Sequence, residues 1–215
     1  MGAMVYFKLK NELLLIPWFG RKHFQSDGCF RNMITLIIGT DRKDSFTGKV
    51  CRAYSRCLNE LAVDHQILDL STALQDVFVP GAYGSSRPDT MHRLQETYFN
   101  PMTCFVFFIP EYNGSFPGIL KWLVDSIDPR TALKQKRAAL FGLSSGRAGS
   151  LRALDQWVGV LHYLQVSVMP HLTTVPHIDR EWVNDYAEPS EKLKTLISDH
   201  ISRLVEFQAG IESLT

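Results

Sequence analysis

The segment CFVFFIPEYNGSFPG, residues 104–118, decides the fold. It begins with Cys104 to Ile109, an unbroken apolar run rich in aromatic and β-branched residues, which predicts a strand buried on both faces. The prolines and glycines that follow predict a turn, and the apolar spacing from Ile119 to Val124 predicts a helix. Open α/β sheets bind ligands outside the carboxyl ends of such strands. The turn is therefore a predicted ligand site, and its backbone donors and the ring of Tyr112 suit a flat cofactor with a polar edge.

The rest of the chain alternates between apolar runs typical of strands and amphipathic runs typical of helices. The other predicted strands are residues 34–39, 65–70, 137–143 and 166–169, and the other predicted helices are residues 47–61, 89–99, 151–163 and 189–207. This alternation predicts an α/β fold with a parallel sheet and helices on both faces. Because crossovers are right-handed, five strands in a chain of this size fit the flavodoxin-like, doubly wound order 2-1-3-4-5. A long loop, residues 71–88, is typical of a lid, a binding loop or an interface.

The composition indicates a single globular domain with a full hydrophobic core. Of the 215 residues, 45% are hydrophobic and 21% are charged, and the net charge of +1 disfavours a nucleic-acid partner. No apolar run reaches the roughly eighteen residues that a membrane span needs, so we expect no membrane partner. The four cysteines show no C-x-x-C spacing, which favours a reduced, cytoplasmic setting without a zinc site or a disulfide framework.

Residues 1–32 differ from the remainder of the chain. They contain five Lys or Arg residues against two Asp or Glu residues. Their only apolar block, residues 13–19, is short and interrupted by Pro17, and no small-residue cleavage site follows, which disfavours a signal peptide. We therefore expect residues 1–32 to be an extension that is peripheral or disordered, and residues 33–215 to form the functional domain.

The loop after the first predicted strand is rich in hydroxyl groups. It offers Thr40, Arg42, Ser45 and Thr47 directly before a helix, and hydroxyls, backbone N–H groups and a helix N-terminus together suit an anion. The alternative is a simple N-cap beside a solvated arginine. The loop lacks the glycine pattern of a Walker A motif, and no G-x-G-x-x-G follows the strand, which disfavours a dinucleotide-binding first turn.

Two further loops have unusual chemistry. The turn after the third strand combines Pro110, Glu111, Tyr112, Asn113 and Gly114, although its prolines alone would serve to end a strand and start a helix. The loop after the fourth strand, residues 144–150, is rich in glycine and serine and carries an arginine, although a flexible connection would have the same composition. In the predicted strand order, all three loops lie at one edge of the sheet.

Taken in order, these three motifs resemble one known family. They are Gly39-Thr40-Asp41-Arg42-Lys43-Asp44-Ser45-Phe46, then Pro110-Glu111-Tyr112-Asn113, then Ser144-Ser145-Gly146-Arg147-Ala148-Gly149. From about residue 33 to residue 174 the chain resembles the NAD(P)H-dependent FMN reductases, the flavodoxin-like group that includes quinone, azo-dye and chromate reductases. The chain departs from the usual pattern at Thr40, Thr47, Ser150 and the helix segment 121–125, which members of the family often use for dimer contact.

The resemblance implies the cofactor contacts. It implies that Thr40, Arg42, Ser45, Phe46 and Thr47 hold the FMN phosphate. It implies that Pro110, Glu111, Tyr112, Asn113 and Gly114 line the isoalloxazine ring, and that Ser144, Ser145, Gly146 and Arg147 close its other side.

The resemblance also implies a ping-pong reaction. NADH or NADPH would deliver hydride to the flavin, which would pass electrons to a small-molecule acceptor such as a quinone, an azo compound or free flavin in the same space. Because the cofactor carries the hard chemistry, we expect no catalytic side chain and no metal. Backbone N–H groups of residues 112–114 are expected to stabilise negative charge on the flavin. A homodimer or homotetramer is also expected.

Two other functions remain open from the residues alone. Gly142-Leu143-Ser144-Ser145-Gly146 matches the G-x-S-x-G motif of serine hydrolases between a strand and a helix. The downstream candidates for its histidine and acid are His162, His171, His177, His200, Asp155, Asp179 and Asp185. A non-enzymatic, flavin-binding electron carrier or redox sensor is the other alternative.

Overall fold

The computed structural model describes residues 4–9, 12–17, 33–74, 87–183 and 188–212. The chain divides into two compact units, residues 1–31 and 32–215. In the first unit, strands β1 (Met4–Leu9) and β2 (Glu12–Pro17) form an antiparallel pair, with Met4 opposite Pro17. The other residues of the expected 1–32 extension lie outside the described residues, so the role of this segment stays a prediction.

A six-stranded parallel sheet forms the centre of the second unit. Its strands are β3 (Ile34–Ile38), β4 (His65–Asp69), β5 (Cys104–Pro110), β6 (Arg137–Leu143), β7 (Ser167–Val168) and β8 (Thr173–Val175). The order is β4-β3-β5-β6-β7, with β8 also paired to β6. In register, Ile34 lies between His65 and Cys104, and Cys104 lies beside Arg137. The predicted order 2-1-3-4-5 is therefore confirmed.

The far edge of the sheet differs from the prediction of one fifth strand over residues 166–169. Strand β7 pairs with the start of β6, and β8 pairs with its end, where Phe141 lies opposite Thr173. Pro170 lies between the two strands and has no N–H group to continue a ladder. As a result, β8 rather than β7 flanks the carboxyl end of β6, where the third loop begins.

Helices cover both faces of the sheet. They are α1 (Phe46–Glu60), α2 (Leu70–Ala73), α3 (Asp89–Tyr98), α4 (Gly118–Ser126), α5 (Pro129–Ala132), α6 (Leu151–Tyr163) and α7 (Glu191–Glu212). Between β8 and α7 the chain forms a 3-10 turn, Ile178–Arg180, and an antiparallel pair of β9 (Trp182–Val183) and β10 (Glu188–Pro189). The sequence did not predict α2 and α5, because four residues are too few to show a helical period.

The core consists of two apolar clusters, one on each face of the sheet. All seven residues of β5 are buried, and successive side chains enter opposite clusters. Phe107 packs with Trp157 of α6 on one face, and Phe108 packs with Tyr54 of α1 on the other. This two-sided burial explains the unbroken apolar run, since neither face of β5 meets water. The predicted loop 71–88 falls mostly outside the described residues, which resume at Arg87.

Candidate active site

The candidate site is formed by the loops that follow three neighbouring strands. Strands β3, β5 and β6 lie side by side, with Ile38 opposite Phe108 and Pro110 opposite Leu143. The loop after β3 (first loop, residues 39–45), the loop after β5 (second loop, residues 111–117) and the loop after β6 (third loop, residues 144–150) therefore leave the same edge of the sheet.

The first loop starts directly against β5. The Gly39 N–H donates to the Phe108 carbonyl at 2.9 Å. A Cβ atom at position 39 would lie only 2.8 Å from that oxygen, so this approach requires glycine. The loop ends at Ser45, the N-cap of α1, whose Oγ accepts from the Gly48 N–H at 3.1 Å. The hydroxyl proton of Ser45 remains available to a ligand at the helix N-terminus, and the first turn carries no acidic residue.

Thr40 and Tyr112 connect the first loop to the second. The hydroxyl oxygens of the two side chains lie 2.7 Å apart, and Thr40 Oγ1 also accepts from the Arg42 N–H at 3.2 Å. The guanidinium of Arg42 lies 5.3 Å from the centre of the Tyr112 ring, within the range of a cation–π contact. Thr40 is fully buried, whereas Arg42 is exposed. Two of the predicted phosphate-binding residues thus contact the predicted ring-binding tyrosine.

The second loop contains a two-residue turn at Asn113 and Gly114. Both residues have positive φ, 52° and 79°, and Tyr112 and Ser115 exchange backbone hydrogen bonds of 2.8 and 3.1 Å around them. This is the pattern of a type I′ turn, for which Asn-Gly is strongly preferred. The N–H groups of Asn113 and Gly114 donate to none of the described residues, and no atom lies within 4 Å of where a Cβ of Gly114 would be. These two donors take no part in the turn's own pair of hydrogen bonds.

Tyr112 does not contribute a third backbone donor. Its N–H donates to the Ser115 carbonyl at 2.8 Å, inside the turn. The expectation that N–H groups of residues 112–114 would all face a ligand is therefore corrected to Asn113 and Gly114. Glu111 behind the turn is mostly buried; its Oε1 accepts from Arg152 at 3.3 Å, and its buried Oε2 has no partner among the described residues.

The third loop is held mainly by the end of β8 and the residues directly after it, which were not predicted to take part. The Ser144 N–H donates to Val175 at 3.1 Å, and the His177 N–H donates to the Gly146 carbonyl at 3.2 Å. Ser145, Gly146 and Arg147 are exposed, while Ser144 is half-buried. Within the described parts of the chain, no hydrogen bond or ring contact joins residues 144–147 to the first or second loop. The structure therefore puts the third loop on the same edge without direct bonding to the other two.

Three residues that sequence reasoning missed form the hydrogen bonds and the ion pair between the second loop and α6. They are Ser115 within the loop, and Arg152 and Gln156 on α6. A signal was present in the sequence, because residues four apart in a helix lie on one face, and both Arg152 and Gln156 have long polar side chains. What the sequence did not reveal is that this face of α6 lies against the turn.

Ser144 has no catalytic base among the described residues. Its Oγ donates to the Gly146 carbonyl at 3.1 Å, and no described histidine forms a hydrogen bond with it. The nearby ring of His177 contacts the Ser145 carbonyl instead, through Nδ1 at 3.1 Å. His200 is buried beside Tyr54, with 2.9 Å between Nδ1 and the phenol oxygen, and Asp185 lies outside the described residues. The arrangement lacks the nucleophile–base contact that a serine hydrolase needs.

The groups with clearly shifted pKa values lie outside these three loops. Burial lowers the pKa of His200 to about 3, and burial lowers the pKa of Lys136, next to the start of β6, to about 8. Burial acts to raise the pKa of Glu181, but hydrogen bonds from Lys192 and Ser190 at 2.6 Å outweigh it and lower that pKa overall. These groups serve the packing of the fold rather than the loops.

In the described part of the chain, no cluster of three or more His, Cys, Asp or Glu side chains is arranged to hold a metal ion. None of the helices built from described residues is both long enough and apolar enough to cross a bilayer.

A doubly wound parallel sheet with hydroxyl- and amide-rich loops at the carboxyl ends of three adjacent strands defines a flavodoxin-like protein. Residues 33–179 match the family of NADPH-dependent FMN reductases, and the chain belongs to that family. It is therefore an FMN-containing, NAD(P)H-dependent oxidoreductase, as the motifs indicated.

Solved structures of several flavoproteins share the fold. The flavoenzyme NAD(P)H:(acceptor) oxidoreductase FerB from Paracoccus denitrificans is 20% identical, covers 80% of this chain and 94% of its own, and gives a TM-score of 0.62. The apo form of the NADH:FMN oxidoreductase EmoB is 19% identical over 81% of this chain and 89% of its own, with a TM-score of 0.55. A flavodoxin from the domain Archaea is 14% identical over 82% and 98%, with a TM-score of 0.53. A comparison with curated protein sequences gave no match.

The donors and acceptors present fit FMN. An exposed arginine, the free hydroxyl proton of Ser45 and a helix N-terminus suit a phosphate. The N–H groups of Asn113 and Gly114 suit the acceptor atoms of a flat heteroaromatic ring, and the open space beside Gly114 lets a ring approach the backbone. Thr40 is the exception in the set, because its hydroxyl is already bonded to Tyr112 and to the Arg42 N–H. Its predicted phosphate contact, like the other predicted cofactor contacts, stays a prediction.

Proposed function

We propose that the chain holds FMN across the first and second loops, with the third loop beside the ring, and reduces small-molecule acceptors with NADH or NADPH. The observation that carries this proposal is the 2.7 Å contact between Thr40 and Tyr112, because it joins a phosphate-type loop to a ring-type turn. The functional domain is residues 33–215, and residues 1–32 are an extension of it.

In this proposal the first loop binds the phosphate. Ser45 donates its hydroxyl proton, Arg42 supplies charge, and the backbone at Phe46 and Thr47 supplies the positive end of the α1 dipole. Thr40 contributes by fixing the position of Tyr112 and, through its Oγ1, the backbone N–H of Arg42. The first turn of α1 carries no acidic residue, so no negative charge in that turn repels the phosphate.

The second and third loops bind the ring in this proposal. Pro110 ends β5, and Glu111 connects the strand to the turn. Tyr112 supplies an aromatic face, and the N–H groups of Asn113 and Gly114 donate to the polar edge of the ring. Exposed Ser145, Gly146 and Arg147, with half-buried Ser144, border the other side. Bound FMN supplies the two-electron chemistry that connects a nicotinamide donor to an acceptor. The protein supplies binding and orientation, and no side chain is assigned as a catalytic acid or base.

The acceptor is proposed to be a small oxidised molecule, such as a quinone, an azo compound or free flavin. The nicotinamide donor and the acceptor are proposed to use one open face of the ring in turn, which gives ping-pong kinetics. Parallel lines in double-reciprocal plots of NADPH against acceptor concentration are the expected result, and intersecting lines would contradict this part of the proposal.

We also propose a cytoplasmic homodimer or homotetramer that associates through α4 and α6. A hollow of about 410 Å³ lies between these helices, and Tyr163 beside it is 87% exposed. Leu151 at the start of α6 is 51% exposed. Exposed apolar side chains beside a hollow are typical of an association surface. Light scattering on the Tyr163→Asp variant should show a smaller particle than the wild type, while His162→Asp should leave the mass unchanged.

The decisive experiment is the visible spectrum of the purified full chain with FMN added, followed by anaerobic NADPH. Flavin bands that stay with the protein after gel filtration and bleach on NADPH addition are expected, together with catalytic turnover of a quinone. Retained bands that bleach without turnover would indicate an electron carrier or a sensor. Absence of retained flavin would overturn the proposed site.

A further inference from the structure

Helix α6 holds the second loop from outside through two side chains one turn apart. Arg152 Nη1 lies 3.3 Å from Glu111 Oε1, and Gln156 Nε2 donates to the Gly114 carbonyl at 3.1 Å. The Gln156 amide oxygen also accepts from Ser115 Oγ at 2.6 Å. The two residues four apart share one face of α6, so the helix contacts both ends of the turn at once.

Gln156 makes the more direct contact with the turn, although both side chains are exposed. Arg152 is 65% exposed, and an exposed ion pair with Glu111 contributes little, about 0–1 kcal/mol. Gln156 instead uses both functional atoms of its amide on adjacent residues of the turn, Gly114 and Ser115. The Gly114 carbonyl shares a planar peptide group with the Ser115 N–H, so Gln156 and the Tyr112 carbonyl hold this group at both ends. The Gly114 N–H belongs to the preceding peptide group, which is joined to the held group at the Gly114 Cα atom.

The turn itself needs such a restraint. Glycine loses more conformational freedom than other residues when it is ordered, and Gly114 has no atom within 4 Å on its Cβ side to restrict it. The Tyr112–Ser115 backbone pair fixes the base of the turn, but it does not bond the N–H groups of Asn113 and Gly114. Among the described residues, only the Gln156 amide forms a hydrogen bond with a backbone atom at the tip, the Gly114 carbonyl.

We propose that Gln156 is a positioning residue that aims the Asn113 and Gly114 N–H groups at the polar edge of the flavin ring. This inference rests on the proposed cofactor site. Hydrogen bonds from N–H groups to a negatively charged acceptor are about twice as strong as those to a neutral one. Correctly aimed donors therefore stabilise the reduced, anionic cofactor more than the oxidised one, and Gln156 raises the reduction potential of bound FMN without touching it.

The test compares Gln156→Leu, which keeps the size and removes both hydrogen bonds, with His162→Gln, an exposed substitution on the same helix. Binding of oxidised FMN and the midpoint potential of bound FMN are measured for both variants. Gln156→Leu should weaken binding of reduced FMN about tenfold more than binding of oxidised FMN, which makes the potential about 30 mV more negative. His162→Gln should leave both quantities at their wild-type values.

A second readout does not require the cofactor. Amide hydrogen exchange in the protein without FMN should be faster at Ser115 in Gln156→Leu than in the wild type, because the Ser115 N–H bond to Tyr112 depends on an ordered turn. Gln156→Met is also neutral and of similar length, removes both hydrogen bonds to the turn and should shift the potential in the same direction, so it serves if the leucine variant is unstable.

The outcomes separate the two proposals. A wild-type chain that binds no FMN would overturn the proposed site and the role of Gln156 with it. A wild-type chain that binds FMN, with Gln156→Leu weakening both redox states equally or neither, would overturn the inference alone. In that case Gln156 contributes only to packing.

Discussion

The hydroxyl oxygens of Thr40 and Tyr112 lie 2.7 Å apart, although 72 residues separate them in the chain. Thr40 belongs to the loop after β3, and Tyr112 belongs to the loop after β5, so this bond fixes the distance between the proposed phosphate and ring subsites. Arg42 contributes to the same junction, with its backbone N–H on Thr40 and its guanidinium beside the Tyr112 ring. A site whose parts are bonded to each other loses less freedom on binding, which favours affinity.

Removing the Thr40–Tyr112 bond should therefore weaken cofactor binding. In Tyr112→Phe the Kd for FMN should rise about threefold to tenfold, the effect of about one net hydrogen bond. Thr40→Val should weaken binding at least as much, because it also removes the acceptor of the Arg42 N–H, and the double variant should be no worse than Thr40→Val. Fluorescence titration of FMN measures all three, with Thr40→Ser as the control that keeps the hydroxyl. Effects that add in the double variant would show that the two hydroxyls act independently.

Ser45 allows the phosphate subsite to be tested without loss of the helix cap. Aspartate is as good an N-cap as serine, so Ser45→Asp should keep the stability of α1 while it introduces a carboxylate beside the proposed phosphate. FMN affinity should fall by about 100-fold or more, because a like charge replaces a donor. Riboflavin, which lacks the phosphate, should bind Ser45→Asp nearly as well as it binds the wild type. An equal loss for FMN and riboflavin would place the phosphate elsewhere.

Strands buried on both faces were predictable because continuous apolar runs leave a clear signal. Strand β6, Arg137–Leu143, and helix α6, Leu151–Tyr163, have the predicted bounds. The edge was less predictable, since β7 and β8 contain two and three residues and pair only with β6. Strands this short depend on tertiary contacts rather than on local pattern.

For the candidate site, the sequence supplied the residue types but not the bonds between them. The motif order predicted that three loops share an edge, and the parallel sheet brings them there. The contacts from α6 to the second loop join residues more than 40 positions apart, and no periodicity reports such pairs. The hydrogen bond from the Tyr112 N–H to the Ser115 carbonyl was also not predictable from the sequence. It depends on the positive φ angles of Asn113 and Gly114.

Gly39, at the start of the first loop, should be difficult to replace. In Gly39→Ala the new Cβ would lie 2.8 Å from the Phe108 carbonyl and 3.3 Å from Leu120 Cδ2, so either the loop or β5 must move. We expect a loss of about 1–3 kcal/mol in the free energy of unfolding, the usual effect of overpacking. Gly118→Ala is the matched control: no atom lies within 4 Å there, and alanine favours the start of α4, so stability should rise slightly. Urea denaturation measures both. A Gly39→Ala variant as stable as the wild type would contradict the close approach.

His200 should make the stability of the fold depend on pH in the mildly acidic range. Its ring is fully buried between Tyr54 and Phe141, and burial lowers its pKa to about 3 in the folded chain. In the unfolded chain the pKa returns to about 6.5, so the unfolded state binds more protons between these values. The contribution of the neutral His200 ring to the free energy of unfolding is therefore fully present above about pH 6.5 and is lost as the pH falls towards 3.

From pH 7.5 to pH 5, this one group should lower the free energy of unfolding by about 2 kcal/mol. In His200→Gln, a side chain of similar size that does not titrate, this part of the pH dependence should disappear, although the variant starts from a different stability. His162→Gln, at an exposed position, should keep the wild-type slope. Urea denaturation at several pH values gives the three slopes. The prediction is contradicted if His200→Gln loses as much stability as the wild type between pH 7.5 and pH 5. In that case another group causes the pH dependence, and burial does not lower the pKa of His200 in the folded chain.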